Sequence, residues 1–258
     1  MKYQHILFEV REKIAWLRFN RPDQLNAMNA LMMNEIIHAL GEIDSARSDQ
    51  LRVAVITGAG KAFMAGADIK EYAQQSQEEF EAFQTAGYSM YEAIENNSKP
   101  IIAAINGYAF GGGFEIALAC DMIVAVEGAK MGLPEILLNL IPGGGGAIRL
   151  TKKIGVNLTN EMIMTGRTVP AEEMHRHGLV NHLYPKEDFI EKTSQFATAF
   201  ADKEADRLQV IKQITKLSVG DELAAQKAES AALNKFYQSK EGKEKIQEFY
   251  RKSLERKK

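Results

Sequence analysis

Two glutamates stand in this chain where a charge is costly to keep. Glu115 follows three consecutive glycines in NGYAFGGGFEIALAC (106–120), between Phe114 and Ile116, and Glu135 sits between Leu133-Pro134 and ILLNLIP. A carboxylate in apolar surroundings has its pKa raised toward neutrality, the range in which a general acid or base works. For either glutamate alone the plain alternative is an ion pair or a solvent-facing charge. Glycines beside them add a second ingredient. Gly111 to Gly113 come after a strand-like run and before a helix-like one, and AGAD (65–68) closes the segment TGAGKAFMAGAD. Bare backbone at such a junction lets N–H groups approach a ligand closely, and a helix N-terminus adds partial positive charge. Two such segments, each giving one N–H to the same oxygen, would make an oxyanion hole.

Other chemistries fit less well. A P-loop needs G-x-x-x-x-G-K-[ST]; Lys61 follows Gly60, but Ala62 occupies the hydroxyl position and the glycine spacing differs. The dinucleotide fingerprint G-x-G-x-x-G fails because the run from Gly111 meets Ile116, and the run from Gly143 meets Ile148, where the last glycine belongs. His175, His177 and His182 in HRHGLVNH lie in an expected helix-to-strand turn and read as polar surface, so no metal site is expected. There is no G-x-S-x-G elbow, and the single cysteine, Cys120, reads as a buried structural thiol.

These residues need a scaffold, and the hydrophobic pattern supplies one. HILFEV (5–10) and KIAWLRF (13–19), separated by Arg11-Glu12, predict a hairpin. Residues 29–46 carry apolar side chains at helical spacing, and VAVIT (53–57), IIAAI (101–105) and MIVAV (122–126) predict short buried strands. A polar stretch around QQSQEEFEAF leads into a helix ending near NNSKP, and another helix is expected from about Phe114. Strands separated by helices argue for crossover units in a layered α/β core. From residue 196 onward there is no strand candidate and no proline, only helical periodicity, so we divide the chain into a core over 1–195 and a helical region over 196–258. Nine Lys or Arg against four Glu over 235–258 form either a solvated face or a site for a ligand's phosphates.

Composition bounds the function classes. With 258 residues, 45% of them apolar, the chain can bury a substantial core. A formal net charge of −2 creates no whole-chain basic field, which disfavours nucleic acid as a partner. No apolar run approaches the roughly 20 residues of a membrane span. The N-terminus reads as a strand, with neither a signal core nor an Arg-rich presequence, so a cytoplasmic location is expected.

Taken together, FNRPDQLNAMN, VAVITGAGKAFMAGADIKE, KPIIAAINGYAFGGGFEIALACDMIVA, MGLPEILLNLIPGGGGAIRLTKKIG and EMIMTGRTVPAEEMHRHGLVNHLYP resemble the enoyl-CoA hydratase/isomerase family, also called the crotonase superfamily. The resemblance implies a spiral core of repeated ββα units, a C-terminal helical trimerisation region, assembly as a homotrimer or homohexamer, and an acyl-CoA thioester as substrate with no separate cofactor. It also implies that Ala67 and Gly112 are the two backbone donors to the thioester oxygen. Along the CoA path it places Ala67, Asp68, Ile69 and Lys70, with Leu25 and Ala27 near the adenine end and Phe236 at the CoA site of an adjoining subunit. Glu115 and Glu135 match the glutamate pair of hydratases, whereas isomerases often retain one. Asn139-Leu140 and Ala147-Ile148 depart from the commoner residues there, which bears on substrate choice more than on fold. The rival readings are a double-bond isomerase or another acyl-CoA reaction through the same enolate, and an RNA-binding relative of the fold.

Overall fold

The computed structural model of the chain describes residues 2–240 and residue 244. Strands β1 (Ile6–Arg11) and β2 (Ile14–Phe19) form the expected antiparallel hairpin, turning through Glu12 and Lys13 at φ 51° and 66°. Helix α1 (Ala30–Ser45) starts where Asn29 caps it, its side chain accepting the Met32 N–H at 2.9 Å, and buries Met32, Met33, Ile36, Ala39, Leu40 and Ile43. Glu35, on the same helix, accepts the N–H groups of Gln4 and His5 at 2.7 and 2.8 Å and pins the chain entering β1.

From here the chain winds as a spiral. β3 (Val53–Gly58) and β4 (Ala62–Met64) are followed by the short α2 (Ile69–Tyr72) and the long α3 (Gln77–Glu95), which Ser76 and Glu79 open with a reciprocal capping box. β5 (Ile101–Ile105) and β6 (Tyr108–Phe110) lead to α4 (Gly112–Ala119). β7 (Met122–Val126) and β8 (Lys130–Gly132) begin the third turn. The first strand of each pair joins a six-stranded sheet, order β1-β2-β3-β5-β7-β10, and the second joins a four-stranded sheet, order β4-β6-β8-β9, with β9 at Val169–Pro170 and β10 at His182–Tyr184. Neighbours β3, β5 and β7 run parallel, as do β4, β6 and β8. Strands β3 and β5 are buried along their whole length, which explains why they read as continuous apolar runs.

The remaining helices are α5 (Gly146–Ile154), α6 (Val156–Thr165), α7 (Ala171–Arg176), α8 (Phe189–Ala201), α9 (Ala205–Ser218) and α10 (Glu222–Gln238). The chain separates into two compact units, one running to Leu208 and one from Gln209. The sequence-based division after residue 195 falls inside α8, whose Phe189, Ala197 and Ala201 are buried and which packs on β2, β3 and β7. In the second unit the described residues are mostly helical, α10 being capped by the Asp221 side chain on the Ala224 N–H. The basic segment from 241 onward lies outside the described residues, except Glu244. Among the described residues no helix is long and apolar enough to cross a membrane. Cys120 is buried, as expected, and His175 pairs with the Val180 carbonyl while His182 stacks on Tyr184.

One polar side chain binds the loop before α1 to the spiral. Asn26 is fully buried at φ 57°; its Nδ2 reaches the carbonyls of Ala59, Ala62 and Phe63 at 2.9, 2.8 and 3.2 Å, and its Oδ1 accepts the Arg21 N–H at 2.9 Å. Replacing it takes this donor from three carbonyls, of which Ala62 keeps a second donor in the Asn106 amide at 3.2 Å. Asn26→Ala is expected to lower stability by about 3 kcal/mol, read as a lower urea midpoint with an unchanged slope.

Candidate active site

The two N–H groups proposed from sequence are set up by different elements. Met28 and Ala67 form an isolated parallel bridge in which the Met28 N–H donates to the Gly66 carbonyl and the Asp68 N–H to the Met28 carbonyl, both at 2.8 Å. In a parallel bridge that pattern directs the N–H of the intervening residue, Ala67, to the opposite side. Gly112 is the first residue of α4, so its N–H belongs to the helix end that has no intrahelical acceptor. The helix begins two residues before the expected Phe114 because Gly111, at φ 51° and ψ −128°, turns the chain sharply out of β6. Gly113 then lets α4 rest directly on β4: a Cβ there would lie 2.2 Å from the Met64 carbonyl oxygen. That close approach brings the start of α4 beside the segment that carries Ala67.

Both glutamates face the same space, in contrasting environments. Glu115 is 3% exposed. Its Oε1 accepts the N–H groups of Gly144 and Gly146 at 2.8 and 2.9 Å, and its Oε2 accepts the Tyr91 hydroxyl at 3.3 Å. Burial raises its carboxyl above the ordinary value, against the opposing pull of these three donors. Glu135 opens a single 3₁₀ turn (Glu135–Leu138) and is half-buried; among the described residues its Oε2 has no hydrogen-bond partner. Burial is the chief cause that lifts its carboxyl from 4.5 to about 7, with its own backbone N–H opposing and the Glu115 charge adding to the rise.

These groups line one cavity of about 340 Å³, together with Met28, Tyr72, Phe83, Phe110 and Leu137. Ala67, Gly112, Glu115 and Glu135 all contribute to its wall. An enzyme cleft of this kind is mostly apolar with a few converging polar groups. The model for the family described as enoyl-CoA hydratase/isomerase matches residues 9–257. The chain belongs to that family. It is 38% identical to the probable enoyl-CoA hydratase of Mycobacterium tuberculosis over 83% of its own length and 81% of that protein's. To the short-chain-enoyl-CoA hydratase of Clostridium acetobutylicum it is 34% identical, over 83% and 81%. The crystal structure of an enoyl-CoA hydratase from Bacillus anthracis superposes with a TM-score of 0.91 at 34% identity, covering 96% of this chain and 97% of that one. The spiral is therefore the crotonase fold of this family.

The family's expected CoA-path residues divide in their placement. Ala67 and Ile69 line the cleft. Leu25, Ala27 and Asp68 are knitted into one loop assembly beside it: the Leu25 carbonyl accepts the Ala65 N–H at 3.1 Å, and the Arg21 guanidinium donates to the Ala27 carbonyl and, at 2.9 Å, to Asp68. Asp68 also caps α2 through the Lys70 N–H. Burial would raise its carboxyl, but the Arg21 hydrogen bond and the Lys70 N–H outweigh it and hold it below the usual value. Lys70 is exposed. Phe236 lies on α10, in the second unit.

Several residues here were not singled out from sequence. Gly144 and Gly146 belong to the glycine run that fails the dinucleotide fingerprint; a Cβ on Gly144 would lie 2.5 Å, and one on Gly146 2.8 Å, from a Glu115 oxygen. Arg149 donates to Glu95 at 2.8 Å and to the Gly144 carbonyl, and lies 5.3 Å from the centre of the Tyr91 ring, clamping the 143–146 loop to α3. No sequence signal pointed to Tyr91, which lies on α3, 24 residues before Glu115 in the chain, yet donates its hydroxyl to that carboxylate.

The raised carboxyl of Glu135 carries a stability consequence. Between 4.5 and about 7 the folded state holds a proton on Glu135 that the unfolded state has released, so stability falls as pH rises through this window. Glu135→Gln removes the penalty. Urea unfolding is expected to show the variant more stable than the parent by on the order of 2–3 kcal/mol at about pH 8, the two converging toward about pH 4.

Proposed function

We propose that the protein is a 2-enoyl-CoA hydratase, adding water reversibly across the 2,3 double bond of an enoyl thioester to give the 3-hydroxyacyl thioester. The observation that supports this over isomerisation is the pair of carboxylates on one cleft, one accepting three hydrogen bonds and the other holding an oxygen without a donor among the described residues. The three donors to Glu115 pull against the rise that burial causes and support its role as base, whereas Glu135, with one oxygen lacking a donor among the described residues, is raised to about 7 and supports the acid, so two like groups take opposite roles. Glu115 takes a proton from water as its oxygen bonds to C3. The π electrons shift toward the thioester oxygen, where the N–H groups of Ala67 and Gly112 stabilise the enolate. Glu135 then delivers its proton to C2. Each carboxyl ends in the opposite state, and exchange with solvent resets the pair. Loss of one such N–H donor would cost about 3 kcal/mol of barrier lowering, by analogy with measured oxyanion holes.

In this reading CoA lies along Ala67, Asp68, Ile69 and Lys70, with Leu25 and Ala27 toward its adenine and Phe236 reaching the CoA of an adjoining subunit in a homotrimer or homohexamer. CoA is part of the substrate, and the chemistry calls for no other cofactor or metal. The division into a spiral core and a helical region that completes the oligomer belongs to the same proposal, as does a cytoplasmic location.

Two measurements test it. Crotonyl-CoA mixed with the protein should lose its conjugated thioester absorbance and yield 3-hydroxybutanoyl-CoA; conversion of a 3-enoyl-CoA to the 2-enoyl isomer without that product would favour the isomerase. Glu135→Gln is expected to lower kcat/KM by about 10²–10⁴-fold, and an unchanged rate would remove Glu135 from the chemistry. Because the acid must be protonated, kcat/KM of the parent should decline as pH rises above about 7, with the apparent value belonging to the coupled pair.

A further inference from the structure

The cleft continues past Glu115 along α3, and this arm has a construction that the chemical step does not require. Phe83, Gly87 and Tyr91 follow one another at four-residue intervals on α3, and all three line the cleft. They form a single stripe of the helix. Gly87 is buried in the interior of this 19-residue helix, where glycine is less favourable than alanine because the unfolded chain has more freedom to lose. Packing does not demand it. A Cβ on Gly87 would meet one atom within 4 Å, Tyr91 Cε2 at 3.8 Å, which is ordinary contact. At Gly113 the same addition would collide with backbone at 2.2 Å. Gly87 therefore faces cleft space between two aromatic rings.

Phe83 closes the stripe toward the start of α3. Tyr72 meets its ring edge-on, with centroids 5.9 Å apart and planes at 79°. Beyond Phe83 lies a second cavity, of about 680 Å³, which Phe83 also lines together with Met33, Gln75 and Ala86. Phe83 thus borders both spaces, the second of which Glu71 and Glu79 also line. Among the described residues lining the cleft, Glu115 and Glu135 carry the only carboxyl groups and no Lys, Arg or His is present, so nothing there would compensate a negative charge at the far end of a ligand.

We infer that α3 sets the acyl chain this protein accepts: an uncharged, apolar acyl tail lies over Gly87 in the slot between the Tyr91 and Phe83 rings, and Phe83 ends the slot. The inference rests on the acyl-CoA reading of the cleft. It makes Gly87 and Phe83 specificity-determining residues that act in opposite directions.

Calorimetric binding of saturated acyl-CoAs of increasing length, which cannot react, tests it separately from turnover. In the parent, affinity should rise about fourfold per methylene until the tail reaches Phe83, then level off. Gly87→Leu should move that break to shorter chains, with a loss of about tenfold or more on the longer ones. Phe83→Ala should move it to longer chains. Gly87→Ala controls for folding, with Tm raised by about 2–4 °C as the helix gains stability. Affinity independent of chain length in the parent, or a break that neither Gly87→Leu nor Phe83→Ala moves, overturns the inference. Crotonyl-CoA hydration is assayed alongside. Shifted breaks without hydration would uphold the slot and reject the hydratase, hydration with unmoved breaks would reject the slot alone, and no binding of any acyl-CoA would reject both.

Discussion

A carboxylate buried inside a wholly apolar helix face must find hydrogen-bond donors or lose its charge, and much of this structure answers that requirement at Glu115. Its own helix cannot supply them, because every other residue from Gly113 to Ala119 is apolar and buried. The donors come from the 143–146 loop, through two N–H groups, and from Tyr91 on α3. That loop must approach closely, which only glycine at 144 and 146 allows. Arg149 in turn holds the loop against α3 through Glu95 and the Gly144 carbonyl. Three segments distant in sequence are thus fixed relative to one another by the needs of one buried charge.

Glu135 presents the complementary case. It sits on a single 3₁₀ turn at the edge of the same cleft, with an oxygen that no protein group among the described residues satisfies. An unsatisfied buried carboxylate costs stability at neutral pH, and such costs concentrate where chemistry is done. In the proposed mechanism this is what keeps a proton available for C2 while Glu115 serves as the base. The spiral supplies the third component. Because paired strands feed two separate sheets, the end of β4 and the start of α4 become neighbours, although some 45 residues separate Ala67 from Gly112.

Much of the framework was legible beforehand. The hairpin, α1, the three buried strands and α3 follow from hydrophobic period and capping residues, which act within a few positions of one another. The short strands β4, β6 and β8 were not, since three residues carry too little pattern and they exist by pairing with one another and with β9. The start of α4 was placed two residues late for a related reason: glycine has poor helix propensity, and Gly112 and Gly113 are helical because tertiary contacts require bare backbone there.

At the site the division runs along the same line. Sequence by itself determined the residue types that could do the chemistry: two glutamates in apolar surroundings, glycines at strand-to-helix junctions, and an ordered set of segments belonging to one family. Those signals are local, and local physics reads them. What only the tertiary structure decided was the environment of each group: which glutamate accepts three donors and which has an oxygen without a partner among the described residues, that Tyr91 and Arg149 take part, and that Gly87 lines the cleft with room for a Cβ while Gly113 is pressed against backbone. Burial, hydrogen bonding and the space around a side chain are set by residues distant along the chain, so no spacing rule could have stated them.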